Sequence, residues 1–181
     1  MNVVSRLLRH FWLDAGDARR ALGDAALHRL ERIVQDSETR HSGEICLCVE
    51  AGLPANLLWR HVRSRVPIAA LVRERAIALF GELRVWDTEL NNGVLIYLQL
   101  VEHRIEIVAD RGVARHFDDE HWRTVLGDVA GEFREGRHEA GLVHVIEAVG
   151  RTLEQCFPAE APAADGATTP GNELPDRPVL R

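Results

Sequence analysis

Asn91-Asn92-Gly93 followed by Val94-Leu95-Ile96-Tyr97-Leu98-Gln99-Leu100-Val101, then Glu102-His103, then Ile105-Glu106-Ile107-Val108-Ala109, is the stretch that decides the fold. Asn-Asn-Gly is a turn signal, and the aliphatic run behind it is too long and too rich in strand formers for a loop. Glu102 and His103 separate it from a second strand-like run, so the two are expected to fold back as a tight antiparallel hairpin.

Upstream, Glu44 to Glu50 (EICLCVE) is apolar on both faces, as expected of an interior strand. Asp24 precedes a helical stripe of Ala26, Leu27, Leu30, Ile33 and Val34, which should stop near Ser42-Gly43. Val72, Ala76, Leu79, Phe80 and Leu83 recur at helical spacing over 69–83. Downstream, one helix is expected from about Asp118 with Trp122, Val125, Leu126, Val129 and Phe133, and another from about Glu139 with Leu142, Val145, Ile146, Val149 and Leu153. The order helix, strand, helix, strand, strand, helix, helix makes this an α/β chain with a small mixed sheet covered by helices.

Composition removes several chemistries. All 22 positively charged side chains among the 181 residues are arginine, so a lysine Schiff base, a lysine general base and a P-loop lysine are excluded. The formal charge of −6 argues against a nucleic-acid partner. Cys46, Cys48 and Cys156 form a sparse, odd set that fits a reducing compartment. Arg6, Arg9 and His10 interrupt the apolar N-terminus and break a signal-peptide core. The longest strongly apolar run, Val94 to Val101, is eight residues, far short of the ~20 that span a bilayer. A cytoplasmic protein without a transmembrane segment is expected.

Three segments follow: an amphipathic N-terminal piece over 1–16, a domain over 17–157, and a tail over 158–181. Val4, Leu7, Leu8, Phe11 and Trp12 form an apolar face opposite Arg6, Arg9 and His10, suited to an acidic membrane surface or to docking on the protein's own core. Five of the seven prolines fall in the last 24 residues, so the tail is expected to be disordered.

Asn91-Asn92-Gly93-Val94-Leu95-Ile96-Tyr97 with Glu106-Ile107-Val108-Ala109-Asp110-Arg111-Gly112-Val113 resembles the central signature of the TPM domain family. Arg40-His41-Ser42-Gly43-Glu44-Ile45 and Asp118-Asp119-Glu120 fit the same pattern, and the resemblance spans roughly residues 25–156. It implies a three-layer α/β/α sandwich around a short mixed sheet. It also implies either an acid phosphatase or calcium-binding activity, or an accessory role in assembling or repairing membrane protein complexes. The chain departs from the family at Leu83 to Glu89, where relatives carry glycines, and at Ala109-Asp110-Arg111-Gly112, which replaces a Gly-aromatic-Gly.

Asp87, Glu89 and Asn91 alternate like the start of a calcium loop, but the glycine arrives one residue late and Leu98 stands where a closing glutamate belongs, so this is no EF-hand. A looser Ca2+ or Mg2+ site built from Asp87, Glu89, Asp110, Asp118 and Asp119 is the candidate metal centre. Against it, Asp87 reads more simply as a turn residue and Asp118 as a helix N-cap. His116 and His121 flank the last acids without a zinc spacing. Cys46 and Cys48 share a strand face, and Val49-Glu50-Ala51-Gly52 after them is no phosphate-cradling loop, so they read as core residues.

No Gly-x-Ser-x-Gly or Gly-x-Gly-x-x-Gly motif occurs. The sequence therefore leads to a TPM-type accessory or binding domain with a protein partner near the inner face of a membrane. Its rival is a divalent-cation-dependent phosphatase, in which the cation polarises the phosphoryl oxygen and Arg84 or Arg111 neutralises charge.

Overall fold

The interior run 44–50 forms β1 (Glu44–Glu50), and all seven of its residues are buried. It pairs in parallel with β2 (Gly93–Gln99), which turns back antiparallel into β3 (Arg104–Ala109). The hairpin is present as expected, with β2 ending at Gln99 and a four-residue turn closed by the His103 N–H on the Leu100 carbonyl. The computed structural model describes residues 3–159 and 173–181, with side chains from residue 6 onward except that of Asp119.

Helices cover both faces of the sheet. Alternation along the strands sends Ile45, Leu47, Val94, Ile96 and Ile107 to one side. There they pack on α2 (Ala15–Leu22), α3 (Asp24–Glu38), α7 (Asp119–Arg134) and α8 (His138–Cys156). Cys46, Cys48, Leu95 and Tyr97 point the other way, onto α4 (Ala55–Ser64) and α5 (Ile68–Glu82). The architecture is the α/β/α sandwich. A short α6 (Arg111–Ala114) links β3 to α7, and α1 (Val3–Trp12) lies beside α4.

Two glycines of the signature are held by packing. A Cβ on Gly93 would stand 2.0 Å from the Val85 carbonyl oxygen, and one on Gly112 would stand 2.4 Å from that of Asn91. No side chain fits either contact.

The expectation of a tail without structure from residue 158 is corrected over 173–181. Val179–Leu180 forms β4, parallel to Cys48 and Val49 of β1, giving the order β3-β2-β1-β4. Arg181 exchanges main-chain hydrogen bonds with Val49 and Ala51, and Leu174 is buried among the α4 and α5 side chains. The physical reason is that β1 has an outer edge of unpaired N–H and C=O groups, which the last residues satisfy despite their proline-rich surroundings. The rest of the expected tail, 160–172, lies outside the described residues.

This returning strap lands on acids. The Leu174 N–H donates to Glu44, Gln35 donates to Asp176, and Glu38 accepts the Ile45 N–H. Burial, joined by the Glu44 and Asp176 charges, pushes Glu38 up to about 8, and burial raises Glu44 as well. A carboxyl raised in the fold keeps its proton there when the unfolded chain has lost it. Stability is therefore expected to fall as pH rises from the ordinary glutamate range to about 8. Melting temperatures read across that range should show a shallower decline for Glu38→Gln, which should melt above the wild type near pH 8.5. Parallel curves would contradict the assignment.

Candidate functional site

Of the five acids expected as cation ligands, the side chains of four are described. Asp87 is exposed and lies 3.7 Å from Arg84. Glu89 is exposed too, and its N–H donates to the Glu173 carboxylate of the strap at 3.1 Å. Asp118 is the N-cap of α7, accepting the N–H groups of Glu120 and His121, while the side chain of Asp119 lies outside the described residues. Among the described residues, no three His, Cys, Asp or Glu side chains group so as to hold a metal ion.

Asp110 differs from the others. It follows β3, is buried, and caps α6 through Oδ1 on the Arg111 N–H, while Oδ2 is buried without a partner among the described residues. Across the β2–β3 ladder, buried Asn92 donates Nδ2 to the Ser42 carbonyl at 2.7 Å, and its own Oδ1 has no partner among the described residues. Two orphaned oxygens at one end of a hairpin are the donor type that a hard cation takes. Next to them, Asn91, Gly112, Arg111 and Arg115 line a cavity of about 170 Å3, with Arg111 donating to Asn91 Oδ1.

The His116 to His121 cluster is dispersed. His121 hydrogen-bonds Thr152 and packs on Phe117, and His116 meets the Phe157 ring edge-on. The strand cysteines are core residues: burial pushes Cys46 up to about 12 and Cys48 still higher, so neither supplies a thiolate near neutral pH.

The N-terminal helix carries the other candidate surface, and its orientation is inverted relative to an ordinary surface helix. His10 and Arg6 face inward. His10 Nδ1 accepts the Leu53 N–H at 3.0 Å, which places the ring proton on Nε2, donated to Glu102 at 2.9 Å. Arg6 sits 3.1 Å from the same carboxylate. Burial works against the Glu102 charge, but the His10 hydrogen bond and the Arg6 charge prevail and hold this carboxyl below its ordinary value. Backbone contact is equally close, since a Cβ on Gly52 would stand 2.4 Å from the His10 carbonyl oxygen.

With its polar side fastened and Leu7 packed on the core cluster of α4 and α5, α1 turns Leu8, Phe11 and Trp12 outward. Leu8 is 54%, Phe11 77% and Trp12 79% exposed, and on neighbouring α4 Trp59 is 65% and Val62 45% exposed. Positions i, i+3 and i+4 explain why Leu8, Phe11 and Trp12 form one stripe. Neither helix contains an acid, and Arg9, Arg63 and Arg65 have no ion pair among the described residues. Sequence reading found the α1 stripe but missed α4. Its signals were Pro54 at a helix start, inward Leu57 and Leu58, and an acid-free arginine series.

Residues 16–152 match the TPM domain family, so the chain belongs to that family. The fold is similar to the NMR structure of the BA42 protein from the psychrophilic bacterium Bizionia argentinensis, at 26% identity and a TM-score of 0.67, covering 87% of this chain and 94% of that one. No curated protein matches the chain. No helix among the described residues is long and apolar enough to cross a membrane.

Proposed function

We propose that this TPM domain is an accessory module that seats on an anionic membrane surface through α1 and α4 and holds a protein partner there. The observation that carries the reading is the outward stripe of Leu8, Phe11 and Trp12 on a helix whose polar side is fastened to the body. Exposed aromatics at such density on a folded domain mark an interaction surface. The chemistry of the rim favours lipid: Arg9, Arg63 and Arg65 have no ion pair among the described residues, and no acid lies on either helix. Near an anionic leaflet each arginine contributes about 1 kcal/mol. The chain should co-sediment with phosphatidylglycerol vesicles, less strongly as salt rises, and should stay in the supernatant with phosphatidylcholine alone. Equal partition with both, or none, would overturn the reading.

A second reading is favoured by the orphaned oxygens of Asp110 and Asn92. A divalent cation of the Ca2+ or Mg2+ type would satisfy both, with water completing its shell. Bound there, it would polarise an anion held by Arg111 and Arg115, which is the phosphatase alternative. Calorimetric titration of wild type and Asp110→Asn with both cations, followed by a phosphomonoester assay, tests it. Heat that disappears in the variant supports the cation site; identical titrations exclude it, and turnover by Asp110→Asn at the wild-type rate excludes the phosphatase route.

A further inference from the structure

The strand order leaves β3 at the sheet edge opposite the strap, with α7 and α5 packed beside it. The Asp110 N–H donates to Gly93, so Val108, Glu106 and Arg104 direct their main-chain groups toward β2. By alternation, Ile105, Ile107 and Ala109 direct theirs outward. Arg73 takes the outward Ile107 carbonyl, whereas Ile105 and Ala109 have no main-chain partner in another element among the described residues. Along this edge runs a groove of about 700 Å3 whose apolar wall includes Ile105, Trp122 and Leu126.

Charge on the groove is unbalanced. Of its carboxylates, Glu102 is taken by His10 and Arg6, and Glu106 lies 3.6 Å from Arg73. Of its arginines, Arg123 pairs with Glu120, but Arg104 and Arg134 are exposed and have no carboxylate partner among the described residues. Arg134 donates Nε to the Ala130 carbonyl, and its other guanidinium nitrogens have no partner among the described residues.

We infer that the groove beside β3 binds an extended acidic segment of a partner protein as an added strand. Outward amides and carbonyls of Ile105 and Ala109 pair with its main chain, alternate apolar side chains enter against Trp122 and Leu126, and its acids meet Arg104 and Arg134. Strand addition uses alternate residues, which is the spacing that sheet geometry imposes on both chains. A second copy is a poorer occupant because its own β3 would bring Arg104 toward the same arginines. The inference deepens the reading of the domain as a partner-binding module, yet uses none of the lipid-facing residues.

The test is fluorescence polarisation, without vesicles, using a fluorescein-labelled Glu-Ile-Glu-Val-Glu-Ile-Glu peptide on the full chain. Binding should weaken at least about tenfold in Arg104→Glu/Arg134→Glu, and a lysine version of the peptide should not bind. Two N-methylated peptides, blocking alternate amides in the two parities, distinguish strand pairing from charge attraction: one should lose binding and the other retain it. Both peptides binding alike, or insensitivity to the charge reversal, would overturn the inference. Dimerisation by light scattering that Arg104→Glu/Arg134→Glu abolishes would overturn it too, by giving the edge to a second copy. Phe11→Ser/Trp12→Ser should bind the peptide as the wild type does, so failure of the lipid reading leaves this result untouched.

Discussion

Replacing Arg75 by leucine is expected to lower the unfolding free energy by about 3–5 kcal/mol, the usual consequence of removing one partner of a buried pair. Arg75 on α5 holds Glu50 at the end of β1 through Nη2 and Oε1 at 2.8 Å, with side chains 11% and 5% exposed. The Tyr97 hydroxyl donates to the other Glu50 oxygen at 2.6 Å. Burial opposes the guanidinium charge, but the hydrogen bonds and charge of Glu50 prevail and hold Arg75 above its ordinary value. Without Arg75, Glu50 keeps one neutral donor in a site closed to water and must either take up a proton or open the layer. The network continues outward, since Glu82 accepts from both Arg75 and Arg181. The same variant should therefore loosen the last residues of β4, read as faster amide exchange at Arg181. Urea unfolding checks the main effect; a loss under about 1 kcal/mol would mean the pair behaves like one on the surface. Glu50→Leu/Arg75→Leu should recover part of the loss, because two apolar groups leave no charge behind.

The second large effect is expected on α1. Phe11→Ser/Trp12→Ser should weaken binding to phosphatidylglycerol vesicles by about 3 kcal/mol, or about a hundredfold, if each ring contributes the lower range of a buried aromatic. Stability should barely change, because both rings are in water in the folded chain and α1 is fastened through His10 instead. A melting temperature that falls together with vesicle binding would mean that the rings pack on the body.

These two sites differ in how far the sequence announced them. β1, the β2–β3 hairpin, α5, α7 and α8 were legible because each depends on a local pattern: Asn-Asn-Gly as a turn, the apolar run of β1, or five apolar residues at helical spacing. A mixed sheet covered by helices followed from their order, and the three α/β/α layers from the resemblance to the TPM domain. What escaped was decided by tertiary partners. Val179 and Leu180 are a strand only because β1 offers an open edge; nothing in a proline-rich segment announces it. α2 was readable in principle, since Asp14 and Asp17 form a capping box, but its eight residues give little periodicity.

The same limit applies to the candidate sites. Periodicity located an apolar face of Val4, Leu7, Leu8, Phe11 and Trp12 but not which of them turn outward; Leu7 packs inward, and the helix is set by a hydrogen bond between His10 and Leu53 across 43 positions. Acid spacing placed Asp87, Glu89, Asp110, Asp118 and Asp119 at loop ends, yet spacing along a chain says nothing about convergence. Among the described side chains of this set, Asp110 alone has a buried oxygen without a partner, and its companion Asn92 was read only as a turn residue.

The membrane-seating account is tested most directly by tryptophan quenching with vesicles of phosphatidylglycerol brominated along the acyl chain. The chain has four tryptophans, of which Trp12 and Trp59 lie on the proposed lipid face while Trp122 is buried beside β3. The account predicts strong quenching in the wild type that disappears in Trp12→Phe/Trp59→Phe, a variant that keeps an aromatic at both positions and so still binds. Quenching that persists in this variant, or vesicle binding without quenching of either ring, would contradict it.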